Sequence, residues 1–235
     1  MAFRRSWRRM AEYSDTTIIC VARSGGRYDA TWVDRLYRGA RRHLPSATRF
    51  VCLTDLPVDV QGVERIALRH DWPRWWAKME AFRPDLGTGR RILLDLDTIL
   101  LANASDLLSG SGTLAMEDFF HRGRVSTAVL VFDGASLAHV YHRFAERPDR
   151  WMTAGSCGEV PNAVHGDQVV IDHFLRDAGE PVRFVQREHP GLLEFHSTQR
   201  VPRGPILVFI GDSKPDTAPE PVPTLWRGEG MRLAA

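Results

Sequence analysis

The sequence predicts an α/β domain with a mixed, mostly parallel central sheet. Short β-branched or apolar runs alternate with longer amphipathic stretches, and most runs end in Gly, Pro or Asp turn chemistry. The 235 residues, 43% of them apolar, suit one core of ordinary size, and no internal repeat is visible.

The elements follow in order. "TTIICVA" (16–22) reads as a strand, "RSGGRYD" as a turn, and "ATWVDRLYRGARRHL" as a helix with Val33, Leu36, Tyr37, Ala40 and Leu44 at helical spacing. "RFVCLTDLP" (49–57) and "VERIAL" (63–68) supply two more strands. In "HDWPRWWAKMEAFRP", Asp71 and Pro73 are helix-start signals, Trp75, Met79 and Phe82 form one expected face, and Pro84 is the stop. "RRILLD" is a strand, followed by strands at 113–116 and 127–132. A helix comes next with Leu137, Val140, Tyr141 and Phe144 on one face, then a second over 166–179 with Gly179 as its C-cap. "VRFV" and "ILVFI" are late strands, and a Pro-rich tail is expected to wrap over the surface or fray.

Charge and cysteine usage exclude several function classes. Arg4, Arg5, Arg8 and Arg9 outweigh the formal net charge of +2, so the chain beyond Met10 is net acidic by two and lacks the bias of a nonspecific nucleic-acid binder. No stretch approaches the ~18 apolar residues of a membrane span, and the first fifteen residues lack the apolar run of a secretory signal. A cytoplasmic protein is expected, with its basic arm either solvated or in peripheral contact with an anionic membrane. Cys20, Cys52 and Cys157 are odd in number and widely spaced, which argues for reduced thiols.

Two aspartates break the pattern. "RRILLDLDTILL" delivers Asp95 and Asp97 at the carboxyl end of a buried strand, where ionised carboxylates are costly unless paired or bound to metal. Ligands of open α/β sheets gather outside that end of the strands. Two carboxylates one residue apart there can grip a hard divalent cation, magnesium or manganese, or one can cap backbone amides in a turn.

With its neighbours the D-x-D resembles the GT-A-fold glycosyltransferases, most closely the glycogenin-like retaining family 8 enzymes and their bacterial relatives. "FVCLTD" resembles their second strand, "WWAKMEAFRP" their W-x-K-x-E-x-F segment and "STAVLVF" their N-[SA]-[GS]-V strand. "GDQ" resembles their D-Q pair, and "GDSKP" the end of their late G-x-x-K-P motif. The resemblance covers residues 16–215, between the basic arm (1–15) and the tail (216–235). It implies a hexosyl transfer from a nucleoside diphosphate sugar, UDP-linked, with retention of configuration. Asp95 and Asp97 would be ligands of Mn2+ or Mg2+, and Lys78 and Lys214 would lie near the diphosphate. The loop around Ala22, Arg23 and Tyr28 would hold the base and ribose, Asp55 would belong to the same donor-binding set, and Asp167 and Gln168 would face the anomeric carbon. The acceptor it leaves open: glycan, lipid-linked sugar, protein or modified nucleobase.

The chain departs from that pattern twice. The family's third metal ligand, a His before the late Gly, is replaced at the candidate positions by Val208 and Ile210, with His189, His196 and Asp212 nearby in sequence. Ser126 stands where the family has Asn. A haloacid dehalogenase-like phosphatase uses related motifs, with "DLDTI" supplying Asp95 as nucleophile and "GDSKPD" supplying Asp212 and Asp216. A non-catalytic sugar- or nucleotide-binding module is the third reading. Trp72, Trp75 and Trp76 suggest a sugar platform, but helical spacing separates Trp75 from Trp76 by about 100°, so at most one reaches a site. "RGARRH" (38–43) and "HRGR" (121–124) are basic clusters suited either to an anionic acceptor or to a solvated face.

Overall fold

The computed structural model describes residues 15–196 and 201–228; the basic arm expected at the N-terminus, Asp15 excepted, lies outside them. The strands are β1 (Thr16–Ala22), β2 (Arg49–Thr54), β3 (Glu64–Ala67), β4 (Arg90–Leu94), β5 (Ile99–Leu100), β6 (Thr113–Glu117), β7 (Val125–Asp133), β8 (Val182–Phe184), β9 (Leu193–Phe195) and β10 (Ile206–Val208). Seven form a central sheet in the order β3-β2-β1-β4-β7-β6-β8, and β5-β10-β9 form a small second sheet. Pairing is parallel from β3 through β4, antiparallel on both sides of β7, and parallel again between β6 and β8.

The main helices are α1 (Ala30–His43), α2 (Ala138–Glu146), α3 (Pro148–Met152) and α4 (Asp167–Asp177), with the short α5 (Val185–Glu188) and α6 (Val222–Arg227). The Asp29 side chain caps α1 by accepting from the Thr31 amide at 2.9 Å. One core joins α1 to the β1–β4 face through Val33, Leu36, Ala40, Ile18 and Cys52. The other face packs on α2 and α4 through Phe82, Phe132, Phe144 and Phe174. Cys20 and Cys52 are register partners on β1 and β2, free and fully buried, and burial pushes the Cys20 thiol up. The tail is packed as far as α6, whose Val222 joins Ile99, Leu207 and Phe209 in a third apolar cluster.

The segment expected as an α-helix around Lys78 winds instead as a 3₁₀ helix over Arg74–Phe82. At three residues per turn the rows regroup. Trp76, Met79 and Phe82 form the buried row, while Trp75 leaves it and is 42% exposed. The tighter winding therefore aims Trp75 and Lys78 along one edge. A third row carries Glu80, fully buried, which accepts from the Arg69 and His70 amides at 2.8–2.9 Å and from Arg83 at 2.9 Å. Glu80→Gln, which keeps the shape and halves the acceptors, is expected to cost about 2 kcal/mol in urea unfolding; an unchanged midpoint would show that the anchor is dispensable.

Candidate active site

The parallel strands β1 and β4 end together, and their following loops border a cavity of about 500 Å3. The β1 loop contributes Arg23 to Tyr28, the 3₁₀ helix Arg74, Trp75 and Lys78, and the β4 turn Asp95, Leu96 and Asp97. Asp167 at the start of α4, and Phe209 and Lys214 beyond β10, complete the wall.

Beyond Leu94 the chain stays paired for one residue, the Asp95 amide donating to Ala128 O at 3.0 Å, and then turns, Thr98 N donating to Asp95 O at 3.0 Å. The turn brings Asp95 and Asp97 to the cavity wall, and Leu96 between them is packed into the α1-side core. Asp97 accepts from Lys214 Nζ at 2.6 Å and from the Tyr28 hydroxyl at 2.9 Å. Asp95 pairs with Lys78 Nζ at 2.6 Å. That ammonium also reaches Asp167 at 2.9 Å and donates to Thr127 Oγ1 at 3.1 Å, while the Thr127 hydroxyl donates to Asp167 at 3.1 Å.

Three carboxylates thus face two ammonium groups, leaving one negative charge uncompensated. Burial, reinforced by Asp97 and Asp167, pushes the Asp95 carboxyl up to about 6 despite Lys78. For Lys78 burial disfavours the charge, yet Asp167 and Asp95 outweigh it and hold the ammonium above the ordinary lysine value. Tyr28 is likewise raised, by burial and by Asp97.

Asp95, Asp97, Asp167, Lys78, Lys214, Tyr28 and Arg23 all come together here. Tyr28 lies edge-on to Trp32 with ring centroids 4.9 Å apart, so its hydroxyl positions Asp97. The other expected residues stand apart from the cavity wall. Ala22 is fully buried in the α1-side core, and Val21 lines the cavity in its place. Asp55 supports the loop from behind, pairing with Arg23 and accepting from the Ser24 amide at 2.8 Å. Arg23 is also held by Asp71. Gln168 follows Asp167 but its amide donates to Asp118 at 2.6 Å. Successive helical residues diverge by about 100°, which separates the two side chains.

None of the substitutes for the missing metal-ligand His lines the cavity. His189 bonds Ser109 at 3.0 Å, Asp212 is exposed, and Val208 is buried in β10. His196, its pKa lowered by burial, meets Ser213 at 3.1 Å and stacks on Phe209 at 4.8 Å. Asp216 pairs with Arg27 at 2.9 Å, so neither acid of the phosphatase-like G-D-x-x-x-D joins Asp95 on the cavity wall. Among the described residues no group of three His, Cys, Asp or Glu is arranged to hold a metal. The surplus negative charge around Asp95 and Asp97 nevertheless suits a cation that takes two protein carboxylates and keeps its other positions for a ligand.

Sequence reasoning missed Arg74 and Thr127. Arg74 adopts a left-handed φ of 53° at the cavity rim and has no ion-pair partner among the described residues. Its only sequence signal is its place after Pro73. Trp75 reaches the wall because Gly166 makes room: a Cβ there would stand 3.2 Å from the indole nitrogen.

No protein-family model matches the chain, and no curated protein does. Solved structures do. The glycosyltransferase GlyE of Streptococcus pneumoniae TIGR4 superposes with a TM-score of 0.61 at 14% identity, over 91% of this chain and 60% of its own. The chain therefore spans about three-fifths of the length of GlyE. The galactosyltransferase LgtC, solved in complex with donor and acceptor sugar analogs, gives a TM-score of 0.64 at 11% identity, over 92% of this chain and 96% of LgtC. At such identities the likeness is one of architecture, and the chain carries the GT-A fold of these glycosyltransferases.

Proposed function

We propose that the chain is a glycosyltransferase that takes its sugar from a nucleoside diphosphate sugar and depends on a divalent cation. The observation that carries this reading is the cluster of Asp95, Asp97, Asp167, Lys78 and Lys214 on one cavity wall at the carboxyl ends of parallel strands. LgtC, solved with donor and acceptor sugar analogs, and GlyE share the overall fold, which supports this reading. Uridine as the base and retention of anomeric configuration rest on the motif resemblance.

In this reading Asp95 and Asp97 hold Mn2+ or Mg2+, which supplies positive charge for the diphosphate oxygens of the donor. Lys214 and Arg74 offset the charge that develops on the leaving nucleoside diphosphate, an electrostatic contribution that needs no proton transfer. Asp167, fixed by Lys78 and Thr127, turns its carboxylate towards the positive charge growing at the anomeric carbon. Gln168, tied to Asp118, lies behind it and keeps the start of α4 in place. The glycines at 25 and 26 let the backbone of the β1 loop approach the nucleotide closely.

Calorimetric titration of UDP with manganese, and again with EDTA, tests the assignment. Binding is expected only with manganese, and about tenfold weaker in Lys214→Ala. UDP that fails to bind in both conditions would overturn the donor, and equal affinity in Lys214→Ala would remove that lysine from the diphosphate site.

A further inference from the structure

A second, smaller cavity lies behind the D-x-D turn, between α1 and α6. Its volume is about 70 Å3, several times the roughly 10–15 Å3 that one water needs. Arg35, Arg38 and Arg42 from α1 and Arg227 from α6 line it, together with Thr98 and Trp226. Three of these residues carry a buried donor with no partner: Arg35 Nε, Thr98 Oγ1 and Trp226 Nε1. Thr98 is 2% exposed, so its hydroxyl cannot turn to solvent.

Both features point to the same guest. Buried donors without acceptors are unfavourable, and a polar cavity beside them is where an acceptor belongs. Arg35, Arg38 and Arg42 follow one another at i, i+3 and i+7, which places like charges on one helix face and disfavours the helix unless an anion sits among them. Asp34 pairs with Arg38 at 2.9 Å, and Arg42 has no ion-pair partner among the described residues. The helix dipole accounts for a cation in the last turn at Arg42 but not for Arg35 in mid-helix. Arg35 instead donates to Arg227 O at 2.6 Å and stands over the Trp226 ring at 5.8 Å, so α6 holds its guanidinium against the cavity.

We propose that this cavity is a binding site for a phosphoryl oxyanion, separate from the donor cavity, in which Arg35, Arg42, Thr98 and Trp226 donate to the oxygens. Inorganic phosphate and the phosphate of a phosphomonoester share that chemistry. The site adjoins the catalytic cluster through the backbone, since Thr98 follows Asp97, and through a chain of ring contacts: Trp226 meets Trp32 at a tilt at 4.7 Å, and Trp32 meets Tyr28 edge-on at 4.9 Å.

The test is calorimetric titration of inorganic phosphate into the full chain at low ionic strength, with and without saturating UDP and manganese. One site is expected, retained when UDP is bound and unchanged in Lys214→Ala. Arg42→Gln should weaken it about tenfold or more, and Thr98→Val should weaken it as well. Arg42 is exposed at the end of α1, so its replacement leaves the fold intact and the result readable even where Thr98→Val is unstable. Absence of binding, displacement of phosphate by UDP, or equal affinity in Arg42→Gln would overturn the proposal. Lys214→Ala separates it from the donor assignment, because failure of that assignment leaves the phosphate result untouched. Phenyl phosphate distinguishes the sources: equal or tighter binding assigns the site to phosphomonoesters, and exclusion assigns it to free phosphate.

Discussion

Replacing Asp97 by asparagine should lower sugar transfer by about a hundredfold or more while moving the melting temperature by no more than about 3 °C. The side chain is 9% exposed and accepts from Lys214 and Tyr28. An amide oxygen occupies the same place and keeps accepting from both donors, so the turn after β4 retains its geometry. What disappears is the charge. Without it the cluster balances two carboxylates against two ammonium groups, and the surplus charge on which the proposed cation site rests is gone. Manganese stimulation should vanish in parallel with turnover. Full activity in Asp97→Asn would remove the D-x-D from the chemistry, and unfolding of the variant would show that the charge serves the fold instead.

A second large effect is expected on stability. Lys78→Met should destabilise the metal-free chain by about 3–5 kcal/mol in urea unfolding, the usual consequence of leaving buried charge without its partner. The lysine side chain is 14% exposed and its ammonium separates Asp95 from Asp167. Methionine fills a similar volume but leaves two carboxylates facing each other across an apolar group. Adding Asp167→Asn to Lys78→Met should recover part of the loss, since neighbouring charges in one network are not additive. A loss below about 1 kcal/mol, or no recovery in the double variant, would show that the contact contributes little to holding α4 against the sheet.

Much of the fold is legible in local pattern. Runs such as "TTIICVA" and "RFVCLT" are apolar because the strands they form are covered on both faces, and β1 and β2 are buried along nearly their whole length. The spacing of Val33, Leu36 and Ala40 gives α1 and its buried face. The 3₁₀ winding around Lys78 is not legible in this way, because Trp75, Trp76, Met79 and Phe82 satisfy a 3.6-residue period nearly as well as a three-residue one. Anchoring of Glu80 to the Arg69 and His70 amides belongs to the tighter winding, and those partners lie ten and eleven residues away.

The candidate site divides along the same line. Asp95 and Asp97 announce themselves, since carboxylates at the end of an apolar strand are costly without a partner. Which partner each has is another matter. Lys78 and Lys214 are the two lysines of the cluster, and the sequence offers no rule for assigning one to Asp95 and the other to Asp97. Thr127 reaches Asp167 and Lys78 because β7 runs antiparallel to β4, which brings the start of β7 beside the end of β4. Had β7 been parallel, Thr127 would lie at the opposite end of the strands, beside the start of β4. The sequence by itself determined the alternation of strands and helices, the position of the paired aspartates and the acidic start of α4, since each follows from residues within a few positions of one another. Only the tertiary structure decided the pairing of Lys78 with Asp95 and Asp167, the tether of Tyr28 and Lys214 on Asp97, and the arginine-lined cavity behind Thr98. These contacts join residues 17 to 192 positions apart, and their strength depends on distance and burial that exist only once the sheet has closed.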